Sequence, residues 1–420
     1  MRSGSTRETG PTTIAFLHRG QNWIRGSEQC LLDLIARLDR SRFHPLLICE
    51  QPTLARAAAA DGTTVMQLDP ADDWTVLTNR AARPALRARL REAFRVHDVR
   101  LVHANVTAVL PVVIPVARSA RLPVVSHLHL PVTDEYERLH ELVHQADVAV
   151  GVAQHVIEPL RHDGVREGRL RVVYNAVDTA RLRQGETLNL RATLGIPADA
   201  LVAVSIGSLI HRKAHDVTLR ALAAARARGL DLYLLLCGDG EDATKLDALA
   251  GTLDVAPYVR FLGYRTDVGA IVRDTADIFI TSAREETLGL NVLEAQWLGA
   301  PVIASDIPAH REALAADVSG LLVKVDDPEA LARAIAEIAA APERRAALGA
   351  AGPRVVAERF SMDRYVSAFE ELYGELLARP RGEFGWVRGV YWPPAYTAWV
   401  RRNVQRRLRL GGTRASPVRA

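Results

Sequence analysis

At 420 residues the chain is long enough for two or three domains, each with its own core, and 48% hydrophobic with 24% charged residues is the composition of a globular protein. The net charge of +4 conceals two regions of opposite sign: from Arg379 onward ten arginines face one acid, Glu383, whereas the residues before it carry 43 basic against 48 acidic side chains. No apolar run reaches the ~18–20 residues of a membrane-spanning helix, Met1–Thr13 has no apolar signal core, and Cys30, Cys49 and Cys237 have neither metal-like nor disulfide-framework spacing. These features point to a reducing cytoplasm.

After a disordered lead-in over residues 1–11, short apolar runs alternate with amphipathic stretches through residue 182, the pattern of parallel strands joined by helices. Strands are expected at Thr12–Leu17, Pro45–Cys49, Thr64–Leu68, Arg100–Ala104, Val124–Leu128, Asp147–Val152 and Arg171–Tyr174, with helices such as Ser27–Leu38, Arg83–Arg95 and Asp134–His144 between them. The periodicity lapses over residues 183–199, at Gly185, Gly195 and Pro197, which marks a linker. A second alternating series over residues 200–361 has strands at Leu201–Ile206, Asp231–Cys237, Val259–Leu262, Asp277–Thr281, Val302–Ala304 and Gly320–Val323. A helix at residues 362–378 and a basic, aromatic tail at 379–420 complete the chain. The expected fold is α/β, with two facing, doubly wound Rossmann-like domains and a cleft between them. Ligands of such sheets bind beyond the carboxyl ends of the strands, so chemistry is to be sought in the loops there.

Four such loops carry candidate residues. The first strand runs into His18 and a glycine-bearing loop through Gly26, Ser27 and Glu28, with Ser27 placed to cap a helix. Val124–Leu130 sets His127 and His129 on one side of a strand end by the period of two. Gly207-Ser208-Leu209-Ile210-His211-Arg212-Lys213 gathers basic side chains at a strand-to-helix turn, which suits an anion. In Ser282–Ala295, Glu286 precedes and Glu294 lies within a helix expected to start near Leu288, whose free amides would hold a phosphate. Two carboxylates so placed suit a ligand with hydroxyls on both sides of a diphosphate. The eight-residue interval alone is not distinctive, since Glu329 with Glu337 and Glu375 with Glu383 repeat it.

Gly238-Asp239-Gly240-Glu241-Asp242-Ala243 after a strand matches a dinucleotide fingerprint and suggests a dehydrogenase. Against that reading, its acids would face a pyrophosphate, and the next strand ends in Gly263-Tyr264 rather than an acid for a ribose. No D-x-D pair, nucleophile elbow or P-loop is present, and Asp72-Asp73 and Asp326-Asp327 read as turn or cap residues.

Taken in order, these segments resemble glycosyltransferase family 4, the retaining nucleotide-sugar transferases of the GT-B fold, over roughly Ile14 to Tyr373. Arg25–Glu28 is similar to the family's Gly-Gly-Ala-Glu loop, and Tyr174-Asn175-Ala176-Val177-Asp178 to its interdomain signature. Gly207–Asp216, Gly238-Asp239-Gly240, Val259–Gly263, Glu286–Glu294 and Gly299–Val302 followed by Glu312 continue the series. The resemblance implies Glu286, His129 and Lys213 in catalysis, with Glu286 on sugar hydroxyls, His129 over the sugar and Lys213 on the leaving diphosphate. It implies a donor site of Gly207, Arg212, Lys213, Gly238, Leu288, Gly289, Leu290 and Glu294, the last on the ribose, and an acceptor-side loop with His18, Gly26 and Ser27. It also implies retention of anomeric configuration with neither metal nor cofactor, the nucleotide sugar being a co-substrate. Departures from the family pattern are Ser208 for arginine, Ala176 and Ala214 for glycine, and Leu288 for phenylalanine.

The expected partners are a nucleotide sugar and a saccharide or lipid-linked glycan, as in cell-envelope polysaccharide or glycolipid synthesis, and no nucleic acid. In the tail, residues 384–409 interleave aromatics with arginines, which suits an anionic membrane surface and a peripheral position at the inner face of the cytoplasmic membrane. The alternatives are a GT-B sugar-nucleotide epimerase, a glycogen-type synthase, or a catalytically silent sugar- or partner-binding protein.

Overall fold

Residues 10–69, 83–131 and 142–384 are described by a computed structural model. The expected helix at Asp134–His144 lies mostly outside these residues, as do Asp72-Asp73 and the tail from 385 onward. The chain divides into two units: residues up to Val172 with those from Leu372 onward, and Val173–Glu371.

Seven parallel strands form the sheet of the first unit: β1 Thr12–His18, β2 Phe43–Cys49, β3 Thr64–Gln67, β4 Val99–Ala104, β5 Val124–Leu128, β6 Val148–Gly151 and β7 Leu170–Val172, in the order β3-β2-β1-β4-β5-β6-β7. β1 is central, so Ile14, Ala15, Phe16 and Leu17 are all fully buried. That is why its sequence is an unbroken apolar run and not an alternation. The order reverses between β1 and β4, whose carboxyl ends, His18 and Ala104, therefore border the topological switch point.

The second unit repeats the plan with β8 Leu201–Ile206, β9 Leu232–Cys237, β10 Val259–Phe261, β11 Ile278–Thr281, β12 Val302–Ser305 and β13 Gly320–Val323, in the order β10-β9-β8-β11-β12-β13. Its switch point lies between β8 and β11. Leu219, Leu222, Leu234, Leu236, Ile278, Ile280 and Ile335 form part of the core. Helix Pro342–Arg359 packs against helix Leu290–Trp297 at backbone distance: a Cβ on Gly349 would lie 2.3 Å from the Gly299 carbonyl oxygen, and one on Gly352 2.4 Å from that of Gln296. Those two glycines set the position of the helix that carries Glu294.

Residues 183–199 do not separate the units. They belong to the second one, where the Leu188 amide donates to Asp274 at 2.9 Å and the Arg191 guanidinium reaches Asp277 and the Ala200 and Thr275 carbonyls. The sparse apolar pattern there reflects a surface segment held by polar bonds. Residues from Leu372 return to the first unit, where Tyr373 is fully buried and its hydroxyl lies 2.7 Å from His103 Nδ1. His103 Nε2 in turn lies 3.2 Å from His127 Nδ1. Burial brings His103 down to about 3, helped by the nearby His129, and holds His127 well below its ordinary value as well.

Two expectations follow. Histidines that are neutral when folded but protonate near pH 6.5 when unfolded make the unfolded state bind more protons, so stability falls as pH drops below about 6.5, by ~1.4 kcal/mol per pH unit for each such histidine. Urea midpoints measured between pH 7.5 and 4.5 should decline accordingly, and a flat profile would contradict the neutral buried cluster. Ala214 adopts a left-handed conformation, φ 52° and ψ 38°, at the start of helix His215–Ala227. Ala214→Gly should therefore raise stability by about 1 kcal/mol, read as a higher urea midpoint at unchanged slope.

Candidate functional site

Carboxyl-end loops at each switch point gather the polar side chains. In the second unit the chain leaves β8 at Gly207, whose amide donates to the Cys237 carbonyl at 2.9 Å. A Cβ on Gly238 would lie 1.9 Å from the Gly207 carbonyl oxygen, and one on Gly240 2.2 Å from that of Leu209. The glycines of the dinucleotide-like motif thus exist because two loops touch backbone to backbone.

Beyond Gly207 the loop turns through His211-Arg212-Lys213 into helix His215–Ala227. The Lys213 stem lies over Gly207, 3.7 Å from where a Cβ would stand, and its Nζ donates to Glu286 Oε2. Arg212 sits 3.6 Å from the other Glu286 oxygen and donates to the Glu285 carbonyl at 2.9 Å. Burial alone would raise the Glu286 carboxyl, but the Lys213 charge and hydrogen bond, the Thr287 amide and Arg212 outweigh it and bring it to about 2. Glu286 is therefore an anion at any physiological pH, able to accept hydrogen bonds and unable to act as an acid.

Several residues that the sequence reading passed over stitch this loop to the one after β11. The Ser282 hydroxyl donates to the Ala214 carbonyl at 2.6 Å and lies 2.8 Å from the Thr218 hydroxyl. Arg284 donates to both Asp216 oxygens, at 3.1 and 3.0 Å, and to the His211 carbonyl at 2.7 Å, and it pairs with Asp326 at 2.7 Å. Its amide donates to the Arg212 carbonyl at 2.9 Å. Asn291 donates to the Ile206 carbonyl at 2.7 Å, which ties the next helix to the end of β8. Ser282, Arg284 and Asn291 all stand in the segment Ser282–Ala295, but their residue types gave no sign of these roles.

The helix expected to start near Leu288 begins at Leu290. Gly289 precedes it in a left-handed conformation, φ 83°, and Leu288 turns its side chain into the core. The apolar Leu288 reads as a helix residue by periodicity, yet its burial serves the turn. Glu294 lies half-buried in the second turn; the Val292 and Leu293 amides donate to the Gly289 carbonyl at 3.0 and 3.2 Å, which leaves the Leu290 and Asn291 amides at the mouth of the helix.

In the first unit, helix Gly26–Arg37 is capped at Arg25, not at Ser27. Ser27 is inside the first turn and its hydroxyl donates to Glu28 Oε2 at 3.2 Å, while the Arg25 amide donates to the same oxygen at 3.1 Å. The acid three residues after the cap accepts from the amide of the cap residue itself, the reciprocal half of a capping box. Gly26 is exposed as the first helical residue. Glu28 Oε1 also lies 3.0 Å from His18 Nε2, both side chains being buried. Asn105, fully buried just beyond β4, reaches His18 Nδ1 at 2.9 Å and His129 Nε2 at 3.2 Å. His18 and His129 are thus joined through a residue that the sequence reading did not select. His127 stacks on His129 with ring centroids 4.3 Å apart and faces His103 on its other side. His129 as a residue is only partly buried, yet burial of its ring and the neighbouring His127 push its pKa well below the ordinary value.

Among the described residues no group of three or more His, Cys, Asp and Glu side chains could hold a metal ion, and no helix is long and apolar enough to cross a membrane.

Residues 24–181 match the model of Glycosyltransferase Family 4, and residues 186–355 that of Glycosyl transferases group 1. A D-inositol 3-phosphate glycosyltransferase of Saccharomonospora viridis is 38% identical over 223 residues, covering 51% of this chain and 52% of that protein. The lipopolysaccharide core biosynthesis glycosyltransferase LpsE of Rhizobium meliloti is 33% identical over 203 residues, covering 48% of this chain and 57% of that protein. The chain thus matches about half the length of these curated relatives. The crystal structure of Anabaena Alr3699/HepE in complex with UDP has the same fold, with a TM-score of 0.76 over 87% of this chain and 100% of that one at 21% identity. With a family model matched on each half and the GT-B fold shared almost end to end, the chain belongs to glycosyltransferase family 4.

Proposed function

We propose that this protein is a retaining, metal-independent glycosyltransferase that moves a sugar from a nucleotide donor to a saccharide or lipid-linked glycan. The observation that carries the reading is the ion pair of Lys213 with Glu286 at the switch point of the second sheet, flanked by Arg212 and a helix N-terminus. The Saccharomonospora and Rhizobium relatives are named for glycosyl transfer to inositol phosphate and in lipopolysaccharide core synthesis, and the Anabaena protein was crystallised with UDP, which supports the same class of chemistry.

In this reading the nucleotide diphosphate lies against Lys213, Arg212 and the first amides of helix Leu290–Trp297. Negative charge grows on the leaving phosphate as the glycosidic bond breaks, and preorganised cations and amide dipoles stabilise that charge more than they stabilise the bound donor. Because these groups are supplied by the protein, no divalent ion is required of the mechanism. Glu286, ionised throughout, accepts hydrogen bonds from sugar hydroxyls, and Glu294 in the second turn accepts them from the ribose. The acceptor hydroxyl attacks from the face the phosphate leaves and passes its proton to the departing phosphate oxygen, so the new glycosidic bond forms as the old one breaks and the configuration is retained. The first unit contributes His129 and the loop bearing His18, Gly26 and Ser27. Phe384, the first aromatic of the expected membrane segment, is instead buried in the first unit, and the arginines and aromatics beyond it would hold the enzyme at an anionic lipid surface, next to a lipid-linked acceptor.

A panel of nucleotide sugars tested by thermal shift should yield at least one that raises Tm, since a ligand of the native state stabilises it by mass action. No shift with any donor would count against the assignment. With that donor, Lys213→Ala should lower kcat by roughly 10²-fold or more, the loss typical of removing one charge-stabilising group, and Glu286→Gln should also lose most turnover. Activity should survive excess EDTA, and the product anomer, read by NMR, should match that of the donor.

A further inference from the structure

A chain of hydrogen bonds in the first unit fixes where the protons lie. Glu28 has only acceptors to offer, and Oε1 faces His18 Nε2 at 3.0 Å, so Nε2 carries the hydrogen and donates. The amide of Asn105 is oriented by the Ser27 carbonyl, an acceptor only, 3.3 Å from its nitrogen, so that same nitrogen is the group 2.9 Å from His18 Nδ1, which takes its hydrogen on a lone pair. That leaves the Asn105 oxygen toward His129, 3.2 Å from Nε2, so Nε2 carries the hydrogen there too. The proton of His129 is thereby excluded from Nδ1, which is left as the acceptor of the ring.

Asn105 is held for this task. It is fully buried, its backbone amide donates to the Leu17 carbonyl at 2.9 Å, and its side-chain nitrogen also reaches the Ser27 carbonyl at 3.3 Å. Both its neighbours for that nitrogen are acceptors, so reversing the amide would set its oxygen against the Ser27 carbonyl and the His18 lone pair together. Water is kept from the His18–Glu28 pair by the backbone at Gly20, where a Cβ would stand 3.2 Å from Glu28 Oε1, 3.4 Å from His18 Nε2 and 2.9 Å from Gln51 Nε2. Among the described residues no hydrogen bond to His129 Nδ1 is made, and the residue as a whole is partly exposed at the end of its strand.

We infer that Asn105 is a positioning residue that locks His129 as the Nε2–H tautomer, so that His129 meets its ligand through Nδ1 as a hydrogen-bond acceptor and selects a donor group such as a sugar hydroxyl. The role of His129 toward sugar rests on the function proposed above; the tautomer does not. A carboxylate or phosphate oxygen, which has no hydrogen to give, is refused at Nδ1 for the same reason.

Imidazole 15N shifts and long-range 1H–15N couplings of the full chain, labelled at histidine and recorded near pH 7.5, read the tautomer without substrate, and His129→Gln assigns the signal. The expected result is a pyridine-type nitrogen at Nδ1 of His129 and a protonated Nε2. A protonated Nδ1 in the wild type overturns the inference. Asn105→Leu removes both bonds and should give His129 a mixed tautomer, whereas Asn105→Asp keeps an oxygen for Nε2–H and should restore it; an unchanged tautomer in Asn105→Leu also overturns it. In turnover, Asn105→Leu should lower kcat roughly 10–100-fold with KM for the nucleotide sugar within about twofold, and should add nothing to His129→Ala. A purely structural role would instead move KM and Tm together. Should Asn105→Leu fail to fold, the wild-type spectrum still decides. A correct tautomer with no glycosyl transfer would reject the proposed function and leave the Asn105 assignment standing.

Discussion

A buried carboxylate held by two cations governs the second unit. Glu286 is covered on nearly all sides, and an isolated anion there would be costly. Lys213 and Arg212 offset that cost, but only if the loop after β8 and the loop after β11 keep their mutual distance. The bonds of Ser282 to Ala214 and Thr218, and of Arg284 to Asp216, His211 and Arg212, maintain it. Once those loops are fixed, Gly238 and Gly240 must be glycine, because the neighbouring backbone leaves no room for a Cβ.

The same constraint accounts for how the chain departs from its family pattern. Ala214 stands where the resemblance to the family implies glycine, in a left-handed conformation that costs an alanine about 1 kcal/mol or more. The residue tolerates it because it is fully buried and its carbonyl is gripped by Ser282, so the surroundings determine the turn whatever the side chain. Ser208 cannot supply the cation that an arginine would, and the positive charge beside Glu286 comes from Arg212 and Lys213.

Much of this was legible in the sequence, because parallel sheets leave a strong signature. β5, β8 and β13 have the expected bounds, and the other strands differ from expectation by one to two residues at an end, since buried runs of Val, Ile and Leu between loops have few other uses. The motif order singled out Lys213 and Glu286, which the structure pairs, because their loops follow strands. What escaped was set by three-dimensional packing. Ser27 looks like a cap, but the helix starts one residue earlier, at Gly26 after Arg25, whose amide is bonded by Glu28. Asn105 looks like any polar residue after a strand, and only the convergence of β1, β4 and β5 reveals its two histidine partners. The unit boundary at Val172 escaped because the polar segment 183–199 is anchored by Asp274 and Asp277, acids distant in sequence.

The two units solve one problem in opposite ways. In the second, a carboxylate is kept charged in a buried place by placing cations on it, and the group so stabilised is an acceptor that can yield its cation to a phosphate. In the first, His103, His127 and His129 are kept neutral by burial, and direction is imposed by hydrogen bonds from Glu28 through His18 and Asn105. A neutral ring with a defined tautomer repels no approaching cationic or anionic group and discriminates only by whether a hydrogen is offered. A carbohydrate, rich in hydroxyls and without charge of its own, is the kind of molecule that such a surface can orient. The nucleotide diphosphate is the kind of molecule for which the Lys213 and Arg212 surface is suited.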